Sequence, residues 1–329
     1  MTMLRNTGTR IASFVLLMAC SGSLAAAETQ PPNVVVTIKP IHALVSEVMN
    51  GVGTPTLLVG GSASPHTFTL RPSTARAIND ADVFIRISDA LEPFTRKIAE
   101  ALPPGVKMLT LADAPGLTLL DQRHGGTFEP HVHGHEGAEA HEHHGAHGDH
   151  DDHDEEGKDG HIWLDPQNAK AIVAVVTKTL AARYPEYAAK FASNAAALDK
   201  RLDGLDHELS AELSGVHNKP FIVFHDATQY FETHFGLSAA GSITVSPDVP
   251  PSGRRLTQVR QKIESLGAVC VFSEPDFQPR LVQAVTEGTK ARSGTLDAEG
   301  LMLKPGPDLY FTLMRGLAHN LTGCLNAQG

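Results

Sequence analysis

The apolar positions of this chain alternate between two periods. Continuous apolar or β-branched runs at 34–38 (VVVTI), 83–87 (VFIRI) and 106–111 predict buried strands, with a shorter strand at 56–59. Between them the period becomes helical. From Pro40 onward Ile41, Leu44, Val45 and Val48 share one face until the glycines at 51 and 53, and further amphipathic stretches cover 73–80 and 91–102. A second series begins with FIVF at 221–224. It continues as a helix at 227–235, a strand at 243–245, a helix at 257–266, a strand at 268–272, a helix at 279–288, a strand edge at 294–297 and a last helix at 308–321. Strands that alternate with helices predict an α/β fold with mainly parallel sheets, here in two lobes flanked by helices.

Two helices lie between the series. Asp165-Pro166 caps and starts one that runs over 167–184, and Pro185 starts another that reaches about position 213. In the second, Phe191, Leu198, Leu202, Leu205 and Leu209 recur at helical spacing in a background of good helix formers. It exceeds the mean of about 11–12 residues by far, which suits a stiff spine between two halves. The expected organisation is a signal at 1–27, an N-terminal lobe at 28–184, a linking helix at 185–215 and a C-terminal lobe at 216–329.

The N-terminus reads as an export signal. Arg5 and Arg10 precede a short apolar core at 11–19, and Ala25-Ala26-Ala27 offers a cleavage site. The run is too short to span a bilayer, and the expected location is the periplasm. The alternatives are an uncleaved anchor and lipidation at Cys20. Past the signal only Cys270 and Cys324 remain, which in an oxidising compartment points to one disulfide, the alternative being two buried thiols.

Charge is concentrated in one place. The net charge is -10, and ten of the eighteen histidines fall between His124 and His153 in a block of His, Asp, Glu, Gly and Ala. So few apolar side chains cannot offset the entropy of ordering the backbone, so 124–160 is expected to be a mobile loop. Imidazoles and carboxylates at this density attract borderline divalent metals. His131, His133, His135, His141, His143, His144, His147, His150 and His153 are its candidate weak ligands, against a purely solubilising role. No basic patch points to nucleic acid.

Three other histidines sit where α/β proteins place ligands. His66 follows a strand in a Gly/Ser-rich loop, His161 follows the His-rich block, and His225 ends a strand. Three imidazoles and one oxygen suit four-coordinate zinc. Spacing alone does not unite them: each could be a solvent-facing, low-complexity or core histidine. A catalytic zinc is the rival chemistry, but no HExxH helix is present.

Six segments occur in one order: IKPIHALV at 38–45, ASPHTFTLRPS at 63–73, HIWLDP at 161–166, FHDA at 224–227, FSEPDFQP at 272–279 and GTLD at 294–297. Together they closely resemble the ZnuA-like zinc-binding receptors of high-affinity zinc ABC importers, over essentially the whole mature chain. The resemblance implies two lobes joined by a long rigid helix, and a non-enzymatic receptor that captures Zn(II) as transported ligand and delivers it to a membrane permease. It implies metal held by His66, His161 and His225, with a carboxylate or water fourth. Asp297, the acid of GTLD, is the matching candidate, although Ala298-Glu299 follows it where Pro-Leu is common. Pro65 precedes His66 where some members carry a ligating glutamate. His42 and His234 are expected to be structural, and Glu274 a buried acid outside the metal shell. A periplasmic zinc chaperone is a further expected partner, and the chain is expected to be a monomer. Within the same family, manganese receptors use more carboxylate, whereas an imidazole-rich site suits zinc.

Overall fold

Two interior strands of the first sheet carry its most apolar sequence. A computed structural model describes residues 31–123, 128, 157–244, 250–268, 270–275 and 279–327. The export signal and the nine loop histidines fall outside them. In the first sheet β1 (Val34–Val36) and β3 (Val83–Arg86) are buried throughout, while β2 (Thr56–Leu57) and β4 (Lys107–Thr110) form the more exposed edges. The order is β2-β1-β3-β4, all parallel. The second sheet repeats this pattern. It comprises β5 (Phe221–Val223), β6 (Ala239–Ser242), β7 (Cys270–Ser273) and β8 (Arg292–Thr295), in the order β6-β5-β7-β8 and again all parallel. In each sheet the chain turns both ways from the first strand, and such switch points open a crevice at the carboxyl ends of the strands.

Parallel strands need crossovers, and helices supply them. The first half has α1 (Lys39–Val48), α2 (Pro72–Asn79) and the short α3 (Arg96–Glu100). The second has α6 (Gln229–Phe235), α7 (Gly253–Leu266), α8 (Pro279–Thr286) and α9 (Leu309–Asn326). Between them α4 (Pro166–Arg183) packs along α5 (Ala188–Leu213). Asp165 caps α4 by accepting from the Gln167 N–H at 2.7 Å. All five predicted apolar positions of α5 are buried, and Leu213 joins them. α1 and α9 also pack on α5, so one continuous apolar core runs from β1 through the long helix to β5 and α9. Smaller clusters lie on the far face of each sheet, around Ile78 and Phe84 in one half and around Val259 and Val271 in the other.

Some expectations shift. The helix expected at 91–102 is a 3₁₀ turn, Pro93–Thr95, followed by the five residues of α3. Glu92 is fully buried, and its carboxylate accepts the N–H groups of Ile87 and Ser88 at 2.7 and 3.3 Å. It folds the chain back onto the end of β3, and Pro93 restarts it. The strand expected at 243–245 lies at Ala239–Ser242, where small residues pair with β5 and Val245 falls outside the described residues. The last helix continues to Asn326, because Leu325 is still buried.

Cys270 of β7 and Cys324 of α9 form the expected disulfide, with Cα atoms 6.2 Å apart. It ties the C-terminal helix to its sheet. No described helix is long and apolar enough to cross a membrane.

Candidate metal centre

His225 lies two residues beyond the end of β5 and is almost fully buried. His161 immediately precedes a 3₁₀ turn, Ile162–Leu164, whose three side chains are also buried. His66 stands in the turn after β2 and keeps about 14% of its side chain exposed. Folding brings the three together. One ligand atom from each lies within 4.8 Å of the other two, and the ring centroids are 5.3–5.6 Å apart. His161 Nε2 and His225 Nε2 face each other at 3.4 Å. A tetrahedral zinc with bonds of about 2.0–2.1 Å holds its nitrogen ligands about 3.3–3.4 Å apart. The buried pair already stands at that separation.

Each buried ring is oriented from behind. His161 Nδ1–H donates to Asp159 Oδ1 at 2.7 Å, and the same oxygen accepts the His161 backbone N–H at 3.0 Å. His225 Nδ1–H donates to Glu274 Oε1 at 2.5 Å, which also accepts the His225 N–H at 3.3 Å. An ionised carboxylate can only accept, so both rings carry their hydrogen on Nδ1 and present Nε2 to the shared space. Glu274 is therefore the buried, hydrogen-bonded acid that its sequence context suggested.

The two rings titrate in opposite directions. Burial, and then the charge of His225, holds His161 well below the usual histidine range. Burial would also depress His225, but the charge and hydrogen bond of Glu274 outweigh it and carry His225 up to about 9.

Asp297, the fourth ligand expected from the sequence, is engaged within its own loop in this structure, Oδ1 accepting from Leu301 N at 2.7 Å and Oδ2 from Met302 N at 3.0 Å. The metal-capable group does not include it. The acid that faces the histidines is Glu299, whose Oε1 lies 3.8 Å from His66 Nε2 and accepts from Ser64 Oγ at 3.3 Å. Its Oε2 is buried and has no hydrogen-bond partner among the described residues. Burial raises the Glu299 carboxyl to about 8 against the opposing charge of His225. Gly300 adopts φ +69°, and a Cβ there would come within 3.3 Å of Leu309 and Leu313, so the turn behind Glu299 depends on glycine.

Sequence reasoning missed Asp159 as well, by assigning it to the mobile loop. The folded chain resumes by Gly157. Gln122 N donates to Gly157 O at 2.7 Å, Asp159 N to Leu120 O at 2.9 Å, and Asp121 bridges Lys158 in antiparallel fashion. The available signal was the Asp-Gly-His spacing ahead of the apolar turn. Gly160 allows close packing there, since a Cβ would lie 2.9 Å from Leu91 Cβ. Arg123 ties this stem to the second half through bonds to Asp226, beside His225, and to Glu232. His42 and His234 are not brought into the cluster. His42 Nε2 bonds Pro55 O, and His234 bridges Asp165 and Asp206.

Two parallel-sheet halves around a long helix, with three imidazoles and a carboxylate between their strand ends, define a metal-binding solute receptor. The profile of the family described as zinc-uptake complex component A, periplasmic, matches residues 34–324. High-affinity zinc uptake system protein ZnuA of Brucella suis biovar 1 (strain 1330) is 50% identical over 328 residues, covering 96% of this chain and 97% of that protein. The protein of the same name from Paracoccus denitrificans (strain Pd 1222) is 39% identical, covering 97% and 99%. Among solved structures, a crystal structure of ZnuA matches with TM-score 0.72 at 21% identity, covering 90% of this chain and 99% of that one. The Zn(II)-bound ZnuA-like domain of Streptococcus pneumoniae AdcA matches with TM-score 0.67 at 21% identity, covering 91% and 100%. The chain belongs to the ZnuA family of zinc-uptake receptors, which are solute-binding components of ABC importers rather than enzymes.

Proposed function

We propose that this chain captures one Zn(II) between its two sheets with His66, His161, His225 and Glu299, and hands it to the permease of a zinc ABC importer. The observation that carries the ligand set is the preset pair of Nε2 atoms 3.4 Å apart, with His66 and the Glu299 carboxylate beside them. Three imidazoles and one carboxylate favour zinc over manganese, which prefers more oxygen. Glu299 takes the fourth position in place of Asp297, which organises the loop instead.

Export through a signal cleaved after Ala27 places the chain in the periplasm as a monomer. The histidines from His131 to His153 serve as weak capture sites and as a contact for a periplasmic zinc chaperone. Metal analysis of the purified chain beside single alanine variants of His66, His161, His225 and Glu299 tests the ligand set. Each variant is expected to lose tight zinc, while Asp297→Asn retains Glu299 and binds better than Glu299→Ala. Equal zinc content in native and His161→Ala protein would reject the site. For the His-rich segment, removal of residues 125–156 is expected to abolish weak zinc binding and keep the tight site, since Asp159 is spared.

A further inference from the structure

We propose that Lys39 and Trp163 are positioning residues that mount Glu299 on the half of the molecule that carries His66 and His161. This inference rests on the metal-site reading above. Glu299 follows β8 and belongs by sequence to the second half, yet the backbone on both sides of it is gripped by donors from the first. Trp163 Nε1–H donates to Ala298 O at 2.9 Å, one residue before Glu299. The Lys39 ammonium donates to Gly300 O at 3.0 Å, Leu301 O at 2.7 Å and Leu303 O at 3.1 Å, immediately after it. Both donors are buried, Lys39 at 4% exposure and Trp163 at 0%.

A buried ammonium is costly unless its donors are satisfied, and here they converge on three carbonyls of one short loop. Lys39 is the first residue of α1, which packs against both α5 and α9, so the grip has a rigid base. Trp163 lies two residues beyond His161, and its ring centroid is 5.3 Å from that of His161. Its own carbonyl accepts from Tyr310 Oη at 2.9 Å, which fixes the segment to α9. Within the loop, Asp297 accepts from Leu301 and Met302 and holds the turn closed. The loop is therefore held from inside by Asp297 and from outside by Lys39 and Trp163. In it the Glu299 carboxylate stands against His66, and His225 is the one ligand carried by the segment after β5.

Zinc titration against a chromogenic chelator, in a double-mutant cycle, tests this. Lys39→Met and Trp163→Phe are each compared with the native chain and again in a Glu299→Ala background. In the native background each is expected to weaken zinc about tenfold, as loss of a group that orients a ligand does. With Glu299 removed, the same substitutions are expected to shift the affinity by less than about twofold, because their effect runs through that carboxylate. Trp163→Phe keeps an aromatic ring and carries the test if Lys39→Met does not fold. Equal penalties in both backgrounds overturn the proposal, because a general packing defect acts whatever stands at 299. Native affinity in both single variants, or in Glu299→Ala itself, overturns it while His161→Ala still fails to bind. Tight binding by His161→Ala removes the metal site beneath it as well.

Discussion

His161 and His225 point Nε2 at Nε2 across 3.4 Å, each held at Nδ1 by a carboxylate of its own half, Asp159 for one and Glu274 for the other. This pairing sets tautomer and ring angle before metal arrives, so little reorganisation accompanies binding. Asp159→Asn and Glu274→Gln are each expected to weaken zinc by about ten- to a hundredfold without removing a ligand. A chelator competition assay measures this, and an unchanged affinity in both would mean the carboxylates do not orient the rings.

Zinc has to displace protons from this site. His225 is carried up to about 9 and Glu299 to about 8 in the metal-free chain, so both hold a proton at pH 7. His161, held low, is already neutral. Metal needs neutral imidazole and ionised carboxylate, so affinity should rise with pH until about 9, by about tenfold per pH unit for each proton released. Calorimetric titrations at pH 7 in buffers of different ionisation enthalpy count those protons. A count of zero is the contrary result.

His234 is a pH-dependent strut away from the metal. Burial would lower it, but hydrogen bonds to Asp165 and Asp206, at 3.0 and 2.8 Å, raise it to about 9. It joins α6 to the cap of α4 and to α5. A raised folded-state value means the added stability is fully present below about 6.5, the unfolded value, and is lost as pH rises through about 9. With its partial exposure discounted, the effect is on the order of 1–2 kcal/mol. Urea unfolding of native and His234→Gln chains between pH 6 and 10 should converge at the alkaline end.

The disulfide bears on stability rather than on ligand geometry. Cys270 and Cys324 close a chain segment with a sequence separation of 54, and opening it is expected to destabilise the fold by about 2–4 kcal/mol. Cys270→Ser with Cys324→Ser should lower Tm while zinc affinity at 25 °C stays within about twofold of native, on the argument that distant sites are independent. A large affinity loss at a temperature where the variant is fully folded would show that α9 and its sheet transmit to the site.

Much of the fold was legible because its signals are local. The VVVTI and FIVF runs, the five apolar positions of α5 and the Asp165-Pro166 cap each act within a few residues, through burial, helical period or a single capping bond. Where the expectation slipped, a contact outside the periodic pattern was responsible. Glu92 shortened a helix by turning inward to the β3 end, and pairing with β5 moved a strand onto the small residues of Ala239–Ser242.

The sequence by itself determined the repeated strand-helix order, the long helix, the export-like start and three histidines of the right chemistry at strand ends. It offered Asp297 as the fourth ligand through motif resemblance, which reads position along the chain and not direction in space. Only the tertiary structure decided that Asp297 turns back on its own loop, that Glu299 faces His66, and that Asp159 and Glu274 stand behind the two buried rings. The reason is physical. A period of two or 3.6 residues is written into neighbouring side chains, whereas the meeting of His66, His161, His225 and Glu299 joins distant positions, whose separations are fixed only when both sheets close around one core.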